Sequence, residues 1–150
     1  MDALALALKD GGLRERFVFI YGTLRRGERN DITQLKPEPC YVGHAALAGT
    51  LYHLGAYPGL LLAGANSAAT DVVGEVYAIA PALEARLDEI EGILPQGGGE
   101  YAKRECLVEL AGQLIACLVY EINPERLHGR PVIADGDWVR RSKFSQYENL

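Results

Sequence analysis

Apolar residues along this chain fall mostly into short runs and alternations, with one stretch of helical spacing. The first run is Phe17-Val18-Phe19-Ile20, aromatic and β-branched, with charge before it and glycine soon after. A run this short, bounded in that way, predicts a fully buried strand. Residues 41–54 predict a strand with bends or bulges, because Gly43 and Gly49 interrupt it. Residues 55–59 predict a turn, Leu60-Leu61-Leu62-Ala63 a second short strand, residues 64–70 a loop of small residues, and residues 72–79 another strand. Residues 101–110 and 114–122 predict a hairpin across Ala111-Gly112-Gln113.

The helical stretch opens at Pro81, whose missing N–H costs nothing in a first turn. Leu83, Leu87 and Ile90 recur at spacings of four and three, so residues 81–91 predict a helix with that stripe on the sheet. Residues 28–39 are polar and allow a helical turn, residues 93–100 form an irregular insert rich in glycine, and the chain after Asn123 is irregular. Neither a repeat nor an interdomain linker interrupts this order. Residues 1–16 read as a leader ending in Leu13-Arg14-Glu15-Arg16, and residues 17–150 as a single domain. Five or six strands with one clear helix predict an α+β fold, a small curved sheet or barrel closed over that helix.

Composition narrows the class. A chain of 150 residues suits one core, and 23% charged residues exclude wholesale disorder. The net charge of −5 speaks against a protein that coats nucleic acid or anionic membrane. The basic Arg140-Arg141-Ser142-Lys143 patch reads as a solvated tail. Met1 to Leu8 has no basic start, so no secretory signal is expected, and no apolar stretch nears the roughly 20 residues of a membrane span. Cys40, Cys106 and Cys117 have no zinc spacing, and the latter two sit in apolar runs as small buried hydrophobes. A reducing, cytoplasmic setting is the expectation.

Two places could carry chemistry. After the first strand comes Tyr21-Gly22-Thr23-Leu24, where several backbone N–H groups can point one way and bind an anion. The plainer reading is an ordinary strand-ending turn, and the pattern leaves both open. At the helix end, Glu91 lies about 80° round from Leu83, at the flank of the apolar stripe. A carboxylate there loses hydration and opposes the helix dipole, both of which raise its pKa toward acid/base use near neutrality. The plainer reading is a surface glutamate. Tyr101 and Arg104 open a strand after the insert, as pocket-mouth or edge residues, and His44, His53 and His128 read as structural or exposed.

Together these pieces carry a resemblance. Phe-Val-Phe-Ile-Tyr-Gly-Thr-Leu-Arg-Arg-Gly resembles the strand and binding loop of the γ-glutamylcyclotransferase-like family, which includes γ-glutamylamine cyclotransferases and the plant AIG2-like group. Val73-Gly74-Glu75-Val76-Tyr77, Leu87-Asp88-Glu89-Ile90-Glu91-Gly92, Tyr101 with Arg104, and Gly136-Asp137-Trp138 follow in the family's order, over residues 17 to about 140. The resemblance implies a small mixed β-barrel with one main helix and short flanking helices. It implies Glu91 as the catalytic acid/base residue, and Tyr21, Gly22, Thr23, Leu24 and Tyr101 as substrate-binding. The implied reaction is intramolecular: the α-amine of a γ-glutamyl group attacks its own γ-carbonyl, closing 5-oxoproline and releasing an amine. It calls for no metal and no organic cofactor.

The expected partner is a small γ-glutamyl amine or γ-glutamyl amino acid, with no nucleic acid and no membrane, acting on a monomer or weak homodimer. Pro95-Gln96-Gly97-Gly98-Gly99 departs from the family pattern beside the pocket mouth and bears on substrate choice. A competing reading is a non-catalytic module that binds a small carboxylate or amine in the same pocket. A third is an enzyme of the same fold acting on another acyl-amine bond. Glu91 discriminates the first two, since a binding module does not need it.

Overall fold

The computed structural model describes residues 16–64 and 70–139. The leader up to residue 15, part of the small-residue loop and the basic patch lie outside them. Among the described residues six strands form: β1 (Arg16–Ile20), β2 (Cys40–His53), β3 (Pro58–Leu62), β4 (Thr70–Ile79), β5 (Tyr101–Leu110) and β6 (Gln113–Ile122). An α-helix, α1 (Pro81–Ile90), follows β4, and short 3₁₀ turns lie at Ile32–Gln34 and Pro124–Arg126. These turns stand where short flanking helices were expected.

The sheet closes on itself. β1 runs antiparallel to β4, with Val18 opposite Tyr77, and parallel to β6, with Val18 opposite Leu118. β2 joins β4 and β3, both antiparallel, and β3 meets β6 in parallel at Leu60 and Glu121. The ring β1–β4–β2–β3–β6 is therefore a closed mixed barrel of five strands, and β5 adds to the far edge of β6 as a hairpin. The hairpin turn is two residues, Ala111 and Gly112, both at positive φ (52° and 80°). Gln113 thus belongs to β6, pairing with Leu110, and is not part of the turn.

Burial on both faces explains the unbroken apolar run in β1. Phe19 faces one cluster with Leu51, Leu60, Val76, Cys117 and Val119. Val18 and Ile20 face a second cluster with Tyr77, Ile79, Leu118, Tyr120 and Ile122, which α1 covers with Leu83 and Leu87. Ile90, expected on the same stripe, is 39% exposed, because the helix ends there at the rim of a cavity. Cys117 is buried as expected, Cys106 only half-buried, and both are free thiols, as is the exposed Cys40. Among the described residues, no helix is long and apolar enough to cross a membrane.

Candidate active site

Glu91 is the residue at which α1 stops (φ −82°, ψ −3°). Gly92 follows at φ +66°, the left-handed conformation that suits glycine. The Gly92 amide donates to the Glu89 carbonyl at 3.1 Å and the Ile93 amide to the Asp88 carbonyl at 2.9 Å, the double bond of a Schellman cap. Ile93 then packs on the cluster that holds Leu87. The sequence Leu-Asp-Glu-Ile-Glu-Gly thereby fixes where the helix ends and which carboxyl stands at its end.

Opposite stands the turn after β1. The carbonyls of Gly22, Thr23 and Leu24 accept from the amides of Arg25 (3.0 Å), Asn30 (2.9 Å) and Ile32 (2.8 Å). Among the described residues, none of the amides of Gly22, Thr23 and Leu24 donates a hydrogen bond. That leaves donors on one turn with the capacity to hold an anion. The Thr23 hydroxyl accepts from the Asn30 side-chain amide at 3.1 Å.

Helix end and turn share one cavity of about 150 Å³. Tyr21, Gly22, Thr23, Leu24, Glu91 and Tyr101, the six residues the sequence singles out, all line it. Arg104 does not: it lies exposed and pairs with Glu121 at 3.1 Å, the edge role of its two readings. The phenols of the wall are engaged within the protein. The Tyr21 hydroxyl donates to the Tyr120 carbonyl and accepts from the Leu60 amide. Tyr101 donates to the Pro58 carbonyl at 2.7 Å and Tyr120 to Asp88 at 2.8 Å. Tyr21 and Tyr101 therefore offer the cavity their rings rather than their hydroxyl groups.

Burial pushes the Glu91 carboxyl up to about 7, with the charge of Glu100 adding to the rise. A carboxyl titrating there can take and return a proton near neutral pH. Sequence reasoning passed over Arg29, Tyr57, Glu100 and Tyr120 on the same wall. It also left Arg25 and Glu75 without a role. Glu75 is buried and accepts from Arg25 Nε (2.8 Å), the Arg26 amide (2.9 Å) and the Tyr77 hydroxyl (2.8 Å). Arg25 also reaches Asp137 at 2.9 Å. Glu75, Tyr77 and Asp137 thus anchor the turn from behind. A buried-strand pattern carrying a lone Glu was the available signal, since a buried charge needs a partner.

His44 bonds to the Tyr41 hydroxyl and the His53 ring packs on Trp138. Among the described residues, no group of three His, Cys, Asp or Glu side chains is placed to hold a metal ion.

Fold and cavity define a small closed barrel in which one cavity holds both a carboxyl at a helix end and the turn after the first strand. Over residues 18–140 the chain matches the family described as gamma-glutamyl cyclotransferase, AIG2-like, and it belongs to that family. It is 35% identical over 135 residues to a Vibrio cholerae protein provisionally named a gamma-glutamylcyclotransferase, covering 85% of this chain and 98% of that one. It is 35% identical over 98 residues to the gamma-L-glutamyl-butirosin B gamma-glutamyl cyclotransferase of Niallia circulans, covering 63% of this chain and 59% of that protein. An AIG2-like protein from Mus musculus shares the fold, with a TM-score of 0.61, 23% identity and coverage of 76% of this chain and 83% of that one.

Proposed function

We propose that this chain closes the γ-glutamyl group of a γ-glutamyl amine or γ-glutamyl amino acid to 5-oxoproline and releases the amine, without a cofactor. The observation that carries this reading is the placement of Glu91, lifted to about 7 by burial, in one cavity with the Tyr21–Leu24 turn. Membership of the family supports the reaction class.

The turn amides take the substrate α-carboxylate, which folds the α-amine back toward its own γ-carbonyl. That amine is an ammonium at neutral pH and cannot attack until Glu91 removes a proton. The freed nitrogen lone pair forms a new C–N bond at the γ-carbon. The old C–N bond then breaks as Glu91 gives the leaving nitrogen its proton. The second proton still on the new ring nitrogen passes through the same carboxylate to the amine, which departs as an ammonium. One amide is made and one broken, so neither water nor an electron carrier is consumed. Proton transfer of this kind contributes about 10²–10⁴-fold. Holding two groups of one molecule in attacking geometry adds several kcal/mol. The rings of Tyr21 and Tyr101 form apolar walls that keep bulk water from the reacting atoms.

The test is 5-oxoproline release, read by mass spectrometry, from a panel of γ-glutamyl amines and dipeptides. The wild-type protein should release 5-oxoproline, and Glu91→Gln should lose at least about 10²-fold in turnover while retaining ligand binding. Normal turnover by the Gln variant would remove Glu91 from the acid/base role. Binding without release by the wild type would instead favour a non-catalytic module.

A further inference from the structure

The glycine-rich insert leaves the helix cap and comes back to it. A Cβ on Gly99 would lie 2.9 Å from the Gly92 carbonyl oxygen, so the end of the insert rests against the residue that terminates α1. Asn123, just past β6, locks that end from the other side. Its amide donates to the Glu100 carbonyl at 2.8 Å and its side chain to the Gly99 carbonyl at 3.2 Å. The route returns Glu100 to the wall of the cavity that Glu91 lines. There the Tyr57 hydroxyl donates to the Glu100 carboxylate at 2.8 Å, and the Tyr57 ring leans on that of Tyr101 with centroids 6.4 Å apart.

We propose that the insert is a positioning device that holds Glu100 in the cavity as the second carboxyl of a pair with Glu91. This rests on the reading of Glu91 as the acid/base group. Two carboxyls in one small cavity resist carrying charge together. Tyr57 gives Glu100 a donor, whereas among the described residues no side chain or amide donates to the Glu91 carboxylate. Burial is the first cause of the rise at Glu91 and the charge of Glu100 the second.

The remaining groups on the wall do not compete for this role. Tyr21, Tyr57, Tyr101 and Tyr120 are all held above the ordinary phenol value, Tyr57 by its bond to Glu100 and the others by burial first, so they stay neutral near pH 7. The Arg29 guanidinium donates to the Ala56 carbonyl at 3.1 Å. Glu100 is positioned to act through Glu91 and is a positioning residue, not a catalytic one.

The test is a carbon-13 NMR titration of the Glu91 carboxyl in the wild-type protein and in Glu100→Gln, with the pH profile of kcat/KM measured alongside on a substrate from the panel. Removing the charge should move the Glu91 midpoint to lower pH, and the acid limb of the profile should follow it. Glu100→Asp, which withdraws the charge by one methylene, should move both in the same direction by less, and serves if the Gln variant does not fold. An unmoved midpoint in a folded variant overturns the pairing, and a moved midpoint with an unmoved acid limb overturns its role in turnover. If the wild type releases no 5-oxoproline, the reading of the reaction fails, while the NMR midpoint still decides whether the two carboxyls are coupled.

Discussion

The guanidinium of Arg25 meets the carboxylate of Glu75 at 2.8 Å, with the two side chains only 6% and 5% exposed. Through this contact the turn that lines the cavity is tied to β4, and through Asp137 to the segment after β6. Glu75 accepts three hydrogen bonds and so leaves none of its donors orphaned.

Breaking that pair from one side should therefore be costly. Glu75→Ala leaves the Arg25 Nε, the Arg26 amide and the Tyr77 hydroxyl without their acceptor, with Asp137 still on the guanidinium, and should destabilise the protein by about 3 kcal/mol. Urea unfolding monitored by circular dichroism reads this directly. A loss below about 1 kcal/mol would mean that water reaches the pair, as at an exposed ion pair.

The raised carboxyl at Glu91 has a cost in stability with a defined pH window. The folded form holds its proton up to about pH 7, against an ordinary value of 4.5, so as pH rises between these values the unfolded chain is already ionised and the folded one is not. Stability should fall across that window and level off above it, by on the order of 3 kcal/mol. Glu91→Gln carries no charge to bury. Its melting temperature should match the wild type near pH 4.5 and exceed it at pH 8, in scanning calorimetry at both values.

Gly136 sits at φ +66°, and a Cβ there would lie 2.1 Å from the Asp71 carbonyl oxygen. The obstacle is main chain, at the point where the Val73 amide bonds to the Gly136 carbonyl at 2.8 Å. Gly136→Ala should cost about 3 kcal/mol or more, from a strained backbone and an overpacked contact together. The expected outcome is a lowered denaturation midpoint in urea; unchanged unfolding would show that the segment swings clear of β4 at little cost.

Tyr21→Phe separates wall from ligand. The hydroxyl is committed to the Tyr120 carbonyl and the Leu60 amide, inside the protein. Removing it should lower stability by about 1–3 kcal/mol, since two buried groups lose a partner. KM should change by less than about threefold if the ring alone faces substrate. A tenfold rise in KM at unchanged stability would instead place the hydroxyl on the substrate.

Much of this architecture was legible along the chain. The strands at 16–20, 40–53, 70–79, 101–110 and 113–122 depart from the spacing-based reading by at most two residues at an end. β3 begins at Pro58, inside what reads as a turn, because a proline can open a strand at its first residue. Ile90 shows the limit of periodicity: its spacing places it on the apolar stripe, but only the neighbours across the gap decide whether a stripe position is covered. All six candidate site residues share one cavity, whereas Arg25, Glu75 and Glu100 found their partners only in three dimensions.

What the sequence determined by itself is local: where strands and the helix run, where Gly92 ends the helix, and which carboxyl stands at that end. Hydrophobic spacing and the conformational habits of glycine and proline act over a few residues, so they can be read in one dimension. The tertiary structure decided the closure of β1 and β3 onto β6, the ion pair of Arg25 with Glu75, and the placing of Glu91 and Glu100 on the wall of one cavity. Those depend on which strand edges pair and on how much water the packed elements exclude, and the proton affinity of Glu91 is set by that exclusion.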